Sequence, residues 1–307
     1  MRALRALAGA AQPALALLAG AGTARGAVRE YWIAAVDVPW DVVPNGRDAV
    51  TGRVIPDATR RLTAVVYRRF TPGWRRPYPM RPSAGDGAGI PGTVIRARVG
   101  DDVVVHFANR DRVYGLPHSV HVHGLRYRPA SDGAFIPYVS GPGADVPVGH
   151  RFTYRYQAMP DSAGVWPYHD HSPSMMRSID LGLVGAVVVL QRGERPPDRR
   201  FFVLLGAMQG LDTVDGRAFI GNTPTFHARV GDEVEFDVMA IGESFHVFHV
   251  HGHRWLRDGT PVDSETLGPS ESIRVRWRED NPGTWYYHCH VESHQDNGMI
   301  GLYRVSR

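Results

Sequence analysis

The sequence predicts an all-β protein that consists of two Greek-key β-sandwich domains. Short Val-rich runs alternate between apolar and polar positions, as half-buried strands do. The 34 Gly and 23 Pro are scattered along the chain, which is typical of a fold with many turns. A chain of 307 residues is long enough for two such domains. The clearest predicted strands are Val94–Val99, Val103–Phe107, Phe152–Tyr156, Val234–Val238 and Ile273–Trp277.

An internal repeat accounts for the number of domains. Four blocks occur twice in the same order. They are ARVGDDV at 97–103 and ARVGDEV at 228–234, HSVHVHG at 118–124 and HVFHVHG at 246–252, WPYHDH at 166–171 and WYYHCH at 285–290, and GLVGAV at 182–187 and GMIGLY at 298–303. The repeat predicts domain 1 at residues 28–192 and domain 2 at residues 198–307, joined by the polar linker RGERPPDRR.

Charge and hydrophobic segments indicate which partners the protein binds and where it is located. The formal charge is +4, and the Arg residues are dispersed among acids, so the sequence does not predict nucleic-acid binding. Residues 1–26 have the pattern of a signal peptide, with Arg2 and Arg5 before an apolar stretch. We therefore expect an exported protein, secreted or periplasmic. No other segment is apolar enough to span a membrane.

Histidine clusters are the strongest functional signal. Of 15 His, ten fall in four clusters. Because residues two apart in a strand share a face, each H-x-H pair directs two imidazoles to the same side. Eight imidazoles are more than one or two zinc ions need, and they suit a group of three copper ions. The four pairs are His121/His123, His169/His171, His249/His251 and His288/His290.

A second ligand set lies on the opposite face. Cys289, the only cysteine, lies between His288 and His290 and therefore faces away from them. His246 is three residues before His249, while His294 and Met299 follow Cys289 at five-residue steps. Two His, one Cys and one Met form the ligand set of a blue copper site.

The motifs HVHG, HDH, HVFHVHGH and HCHVESHQDNGM resemble those of multicopper oxidases. Domain 2 and HGLRY…SDG are similar to two-domain small laccases, and REYWIAAVDVPWDVVPNG is similar to the start of ceruloplasmin-type domains. The resemblance implies cupredoxin-like domains and a laccase-like oxidase. Such an enzyme couples one-electron oxidation of phenolic or aromatic donors to four-electron reduction of O2 to water.

The resemblance also implies a ligand assignment with four coppers per chain: one type 1, one type 2 and two type 3. By this resemblance, His121 and His249 bind the type 2 copper. The type 3 pair is assigned to His123, His169, His171, His251, His288 and His290, and the type 1 copper to His246, Cys289, His294 and Met299.

Two further residues are catalytic candidates by resemblance to two-domain laccases. Asp132, nine residues after His123, is expected near the type 2 copper, where a carboxylate relays protons for O2 reduction. Tyr127, four residues after His123, is expected close to the cluster, where it lends an electron to a partly reduced intermediate.

The repeat predicts that the type 1 position of domain 1 has decayed. His118 matches His246, but Asp170 stands at the position of Cys289. Met175 matches His294, and Leu183 matches Met299. Without a thiolate this position does not hold a blue copper; His118 is then a relic or a group that supports a ligand, or it belongs to a second metal site with Asp170 and Met175.

Other functions and the assembly follow from the same residues. A ferroxidase would use acids near the type 1 copper, for which Glu292, Asp296, Asp258 and Asp263 are candidates. A copper-storage protein is a weaker alternative, and a nitrite reductase would carry its thiolate in domain 1. Because each cluster needs the H-x-H faces of both domains, we expect a closed ring in which domain 1 of one subunit meets domain 2 of the next. The resemblance to the family implies that this ring is a homotrimer with copper clusters at the subunit interfaces. The expected partners are a small-molecule reductant and O2.

Overall fold

The structure is a computed structural model that describes residues 26–80 and 89–307. The predicted signal peptide lies outside the described residues, apart from its last residue, and stays a prediction. Among the described residues, no helix is long and apolar enough to cross a bilayer. Strands dominate, and the α-helices are short: α1 (Asp57–Arg60), α2 (Met175–Asp180) and α3 (Glu292–Asp296). Three turns of 3-10 helix lie at Pro72–Trp74, Pro129–Ser131 and Pro160–Ser162.

The first half of the chain forms two packed sheets, in the orders β2-β1-β4-β7-β6 and β3-β9-β8-β5. Apolar side chains from both sheets fill one core between them. The strands are β1 (Val28–Asp41), β2 (Arg61–Phe70), β3 (Val94–Arg98), β4 (Asp102–Arg110), β5 (His121–Val122), β6 (Arg126–Tyr127), β7 (Arg151–Gln157), β8 (Gly164–His169) and β9 (Val184–Leu190).

The second half repeats this arrangement, with sheets in the orders β11-β10-β13-β18 and β12-β20-β19-β14-β17 and the added hairpin β15-β16. It has a core of its own. The strands are β10 (Arg199–Met208), β11 (Leu211–Val214), β12 (Thr225–Arg229), β13 (Glu233–Ala240), β14 (His246–Val250), β15 (Trp255–Arg257), β16 (Thr260–Val262), β17 (Ser264–Leu267), β18 (Ser272–Arg278), β19 (Gly283–Cys289) and β20 (Ile300–Ser306).

Strand pairing is duplicated between the halves. The parallel pairs β1–β4 and β3–β9 have counterparts in β10–β13 and β12–β20. The antiparallel pairs β8–β9 and β5–β8 have counterparts in β19–β20 and β14–β19. The prediction of an all-β fold with two cupredoxin-like domains is therefore confirmed.

An apolar cluster and several polar contacts join the two halves. Val38, Val165 and Leu190 pack with Phe202, Met239 and other residues of the second half. The Trp40 indole N–H donates to Gly216 O at 2.7 Å, and the Arg217 guanidinium lies 3.9 Å from the centroid of the Trp40 ring. These contacts give the two domains one fixed arrangement within the chain.

Candidate metal centres

Two short antiparallel strands bring the histidines of domain 1 together. In the β5–β8 pair His121 lies opposite His169, and both strands present an H-x-H pair to the same side. The four imidazole rings form a chain of neighbours with centroids 5.1–5.7 Å apart. The His123 and His169 Nε2 atoms are 3.1 Å apart. His171 completes the group, so all four predicted domain 1 ligands converge.

The same geometry recurs in domain 2. His249 lies opposite His288 in the β14–β19 pair. The His251 and His288 Nε2 atoms are 3.1 Å apart, as in the domain 1 pair. His290 lies beside His249 with ring centroids 5.5 Å apart. The internal repeat thus extends from strand pairing to the directions of individual nitrogen atoms.

Backbone carbonyls fix the tautomer of four of these rings. A carbonyl oxygen only accepts, so a ring nitrogen that faces it carries the proton. The Nδ1–H groups therefore donate to the backbone, which leaves each Nε2 lone pair free for a metal. The pairs are His121 with Asp132 O at 2.8 Å, His169 with Asp170 O at 2.9 Å, His249 with Asp263 O at 2.7 Å and His288 with Cys289 O at 2.9 Å.

Electrostatics also favour neutral imidazoles at these positions. Burial, reinforced by neighbouring imidazoles, lowers the pKa of His123, His169 and His288 to about 4. The pKa values of His121 and His251 are lowered as well, mainly by burial. A neutral imidazole is the form that binds a metal, so protons do not compete for these nitrogens at neutral pH.

The Cys289 side chain lies on the opposite side of β19, inside the core of domain 2. Its Sγ is 3.9 Å from His246 Nδ1 and 3.7 Å from His294 Nδ1. The Val247 N–H donates to the sulfur at 3.3 Å. Met299 is also fully buried in this core, and its carbonyl accepts from the Cys289 N–H at 3.1 Å.

This second donor set fits copper. Burial raises the pKa of the Cys289 thiol, so a cation is needed to hold the thiolate in the core. Burial and the nearby His294 imidazole lower the pKa of His246 to about 4, which keeps that ligand neutral. One sulfur and two imidazole nitrogens within 4.8 Å of one another match the preference of copper for thiolate with imidazole.

The corresponding position of domain 1 holds a buried hydrogen-bond network. His118 Nε2 is 3.1 Å from Asp111 Oδ2, and His118 Nδ1 is 3.4 Å from Asp170 Oδ2. Asp170 also accepts from the Ser119 N–H at 2.6 Å and from the Ser172 hydroxyl at 2.7 Å. The two carboxylates lie at opposite edges of the imidazole and do not converge on one point. The alternative of a metal site at His118, Asp170 and Met175 stays a prediction.

The structure places the two catalytic candidates beside His121. The Asp132 carboxylate Oδ1 is 3.2 Å from His121 Nδ1. The Tyr127 ring centroid lies 6.1 Å from that of His121. Burial, with the adjacent Asp132 carboxylate, raises the pKa of Tyr127 to about 12. Asp132 therefore contacts a candidate ligand and the candidate tyrosine at the same time.

Sequence reasoning missed the partners of His253 and His118. His253 Nδ1 lies 2.7 Å from His251 O, and its Nε2 lies 3.0 Å from Glu279 Oε1. Burial opposes ionisation of Glu279, but hydrogen bonds from His253, Tyr303 and Trp277 hold its pKa at about 2. Asp111 lies 7 residues before His118 and Glu279 lies 26 residues after His253, and neither acid belongs to a repeated block, so the motifs did not indicate either.

The acids proposed for an iron site do not form one group. Glu292 and Asp296 are exposed on α3, the helix that carries His294. Asp258 is exposed in the β15–β16 turn. Asp263 lies between β16 and β17, and its backbone carbonyl contacts His249. The Nε2 atom of His294 is 3.4 Å from the Ser244 hydroxyl.

The two four-histidine groups remain separate within one chain. In the described ranges 26–80 and 89–307, every ring contact of these imidazoles stays within its own domain. The candidate metal groups likewise contain ligands from a single domain. His251 and His290 are exposed. Each group is therefore half of the eight-imidazole set that the sequence predicts.

Known proteins share this fold. The crystal structure of a multicopper oxidase has a TM-score of 0.69 at 22% identity and covers 91% of this chain and 89% of its own. A blue copper oxidase from Nitrosomonas europaea has a TM-score of 0.66 at 22% identity, over 91% of this chain and 86% of its own. A copper nitrite reductase from the same organism has a TM-score of 0.68 at 16% identity, over 91% and 94%.

Sequence comparison identifies relatives among much longer proteins. Ferroxidase HEPHL1 of Homo sapiens is 27% identical over 90% of this chain and 29% of its own length. A probable nitrite reductase-hydroxylamine oxidoreductase fusion protein of Kuenenia stuttgartiensis is 31% identical over 72% of this chain and 28% of its own length. The chain thus spans less than a third of these relatives. Two family models, both described as multicopper oxidase, match residues 80–194 and 194–307. The chain belongs to the multicopper oxidase family.

Proposed function

We propose that this chain is a laccase-like oxidase that couples one-electron oxidation of small aromatic donors to the reduction of O2 to water. The observation that carries the proposal is the place of Cys289 between His288 and His290. One strand presents a buried thiol to one side and two imidazoles of the four-histidine group to the other. Copper bound to these ligands would accept single electrons from donors and pass them to O2.

The protein supplies a short covalent connection between the two ligand sets. Cys289 is bonded through the backbone to both neighbouring histidines, and β14 holds them by pairing Phe248 with Cys289. The His288 Nδ1–H bond to the Cys289 carbonyl adds a second contact between the same residues. Electrons that enter at the exposed edge of His294 therefore need to cross only one strand.

The surroundings of His121 are suited to moving protons. The Asp132 carboxylate contacts this ring and also interacts with the Tyr127 hydroxyl. We propose that Asp132 orients His121 and transfers protons at its carboxylate, and that Tyr127 donates an electron when the supply through His294 is slow. Their contact geometry supports both roles.

We propose a homotrimer in which domain 1 of one subunit meets domain 2 of the next. The supporting observation is that each chain carries two separate half-sets of four imidazoles, of which two domain 2 members are exposed. A heterologous contact repeated around a ring would join each half-set to its complement. Four coppers per chain would then be bound.

Oxygen uptake and copper content test the oxidase proposal together. We expect about four coppers per chain from the ligand count, an intense visible absorption from the Cu(II)–thiolate bond, and O2 consumption with 2,6-dimethoxyphenol. A storage protein would bind copper without consuming O2. An anaerobic assay with nitrite tests the reaction named in two of the similar proteins; nitrite turnover without O2 uptake would contradict the oxidase proposal.

Ferrous iron is the second candidate donor. Similarity to ferroxidase HEPHL1 and the exposed acids Glu292 and Asp296 on the helix of His294 favour it. The comparison is catalytic efficiency on Fe(II) against 2,6-dimethoxyphenol in the wild type and in Glu292→Gln/Asp296→Asn. A strong preference for Fe(II) that the double variant abolishes, while phenol oxidation is kept, would establish a ferroxidase.

A further inference from the structure

A polar pair in domain 2 borders the segment that joins two candidate ligands of the type 1 copper. Asn297 lies two residues before Met299, directly after the helix that carries His294. The Asn297 side-chain N–H donates to the Asp212 carboxylate at 2.8 Å. The Asp212 backbone N–H donates in turn to Asn297 O at 3.3 Å. Two hydrogen bonds therefore tie the segment to β11, one through the backbone and one through the side chains.

The Cys289 thiol borders the same segment from the core. The Cys289 N–H donates to Met299 O at 3.1 Å, two residues beyond Asn297. Because residues two apart in a strand share a face, Asp212 points to the same side as Val214, which packs in one core with Cys289 and Met299. Asp212 is partly buried, whereas Val214 and Cys289 are fully buried. The carboxylate thus lies at the edge of the apolar core that encloses the thiol.

The negative charge of Asp212 acts on the sulfur of Cys289. Burial raises the pKa of the Cys289 thiol, and the Asp212 carboxylate adds to that rise. Charges interact more strongly across an apolar core than through water, because the effective dielectric constant is lower. The oxidised form of a copper ion at this thiol carries one more positive charge than the reduced form. A carboxylate nearby therefore favours the oxidised form and lowers the reduction potential.

The internal repeat provides the same position in a domain without the thiol. In domain 1 the Val65 N–H donates to Leu181 O at 3.0 Å, as the Asp212 N–H does to Asn297 O. Leu181 directly precedes the block GLVGAV, and Asn297 directly precedes its repeat GMIGLY. Val65 and Leu181 are apolar and buried in the core of domain 1, where Asp170 stands at the cysteine position. The fold therefore accepts an apolar pair here, and the carboxylate with its amide partner accompanies the thiol.

We infer that Asp212 determines which donors the oxidase accepts, by lowering the reduction potential of copper bound at Cys289, and that Asn297 positions its carboxylate. The inference rests on the proposed function, since it concerns the copper that receives the electron of the donor. A lower potential restricts oxidation to electron-rich donors, because electron transfer needs a favourable difference in potential. Asp212 does not need to contact the donor, so its effect falls on the rate of electron transfer and not on binding.

The test measures the redox equilibrium of the copper-loaded protein with ferrocyanide and ferricyanide, read without O2 from the visible Cu(II)–thiolate absorption. Asp212→Asn removes the charge but keeps an oxygen that accepts from Asn297. It should shift the equilibrium about three- to tenfold toward reduced copper, which is a rise of about 30–60 mV in potential. Asp280→Asn, an equal change of charge at an exposed position before β19, is the control and should leave the equilibrium unchanged.

Two further variants separate the charge from the shape of the segment. Asn297→Leu keeps the charge but releases the carboxylate, so it should give a smaller shift in the same direction. Asp212→Val/Asn297→Leu carries the pair found in domain 1, and it should stay folded by circular dichroism and shift at least as far as Asp212→Asn. An unchanged equilibrium in Asp212→Asn would overturn the inference, as would a full shift in Asn297→Leu alone or an equal shift in Asp280→Asn.

Kinetics distinguish this inference from the proposed function. For 4-methylphenol, a less electron-rich donor, kcat should rise in Asp212→Asn relative to kcat for 2,6-dimethoxyphenol, while both KM values stay at the wild-type level. A change confined to KM would place Asp212 in donor binding and overturn the inference. Wild-type protein that binds copper but consumes no O2 with any donor would overturn the proposed function instead.

Discussion

Cys289 is the residue on which electron transfer depends in the proposed mechanism. It is the only cysteine of the chain and is fully buried between two imidazole nitrogens. Serine has nearly the same shape but lacks the soft sulfur that binds copper strongly. We therefore predict that Cys289→Ser loses the visible absorption and all O2 uptake, while the four-histidine groups keep their copper. Circular dichroism checks the fold, and a Cys289→Ser protein that stays blue would exclude this ligand assignment.

Asp215 is a buried acid whose ionisation should make stability depend on pH. Burial raises its pKa from 3.8 to about 8. Because the folded chain holds this proton more tightly than the unfolded chain, the stabilising effect is complete below pH 3.8 and is lost as pH rises through about 8. The loss is at most about 1.4 kcal/mol per pH unit within that window.

We predict that Asp215→Asn raises the melting temperature at pH 8.5 more than at pH 5. Asparagine tolerates the positive φ of 53° at this position, and its amide oxygen can still accept the Leu204 N–H. Differential scanning calorimetry at both pH values measures the change. Asp280→Asn, at an exposed position, is the control and should show equal shifts at both. An equal gain for Asp215→Asn would mean that the carboxyl group does not titrate in this range.

For individual residues, the sequence predicted the candidate metal ligands but not the carboxylates that hydrogen-bond to the neighbouring histidines. Strand periodicity was sufficient to separate the faces of His288 and Cys289, because the side-chain period of a strand is fixed. Asp111 and Glu279 lie 7 and 26 residues from the histidines that they contact. Such contacts depend on how strands from different sheets are juxtaposed, which no local pattern encodes.

The tight turns after β5 and β14 position the last histidine of each H-x-H pair. Gly124 and Gly252 follow His123 and His251, with φ values of +71° and +70°. A Cβ atom on Gly124 would overlap the Trp166 ring, so both the backbone conformation and the close contact require glycine.

We predict that Gly124→Ala destabilises the copper-free chain by about 2–4 kcal/mol, from strain plus overlap. Gly115→Ala is the matched control: it has a φ of +68°, but nothing lies within 4 Å of the added Cβ, so it should cost about 1 kcal/mol. Urea unfolding measures both. The absorption from Cys289 should survive in Gly124→Ala because that ligand lies in the other domain, and equal costs for the two variants would show that the Trp166 contact is unimportant.

Strand positions were predictable, whereas strand order was not. The predicted strand Phe152–Tyr156 lies within β7, and Ile273–Trp277 lies within β18. The parallel β1–β4 pair joins segments about 70 residues apart, and its register depends on packing in the finished sandwich. Strand β5 has only 2 residues, which is too short to show an alternating pattern. Only the H-x-H spacing of its histidines indicated an extended segment there.

Assembly of the whole molecule can be tested by complementation between subunits. His123→Ala removes a ligand of domain 1, and His251→Ala removes one of domain 2, so we predict that each variant alone is inactive. In a mixed ring, an intact domain 1 of one subunit meets an intact domain 2 of another, and part of the O2 uptake should return. The variants are unfolded and refolded together with copper, and sedimentation should show a particle of three chains. Inactive mixed trimers, or an active copper-loaded monomer, would exclude clusters at subunit interfaces.

The buried network of Asp111, His118 and Asp170 has a consequence for biosynthesis. Domain 1 is synthesised first, and hydrogen bonds already satisfy the position at which its sister domain keeps an unoxidised thiol among imidazoles. This position of domain 1 can therefore pack without a metal, and we expect the matching position of domain 2 to be completed only when copper binds. A cell short of copper would accumulate chains whose first half resists proteases and whose second half is cut, and the supply of the ion would thus set how long the newly made chain survives.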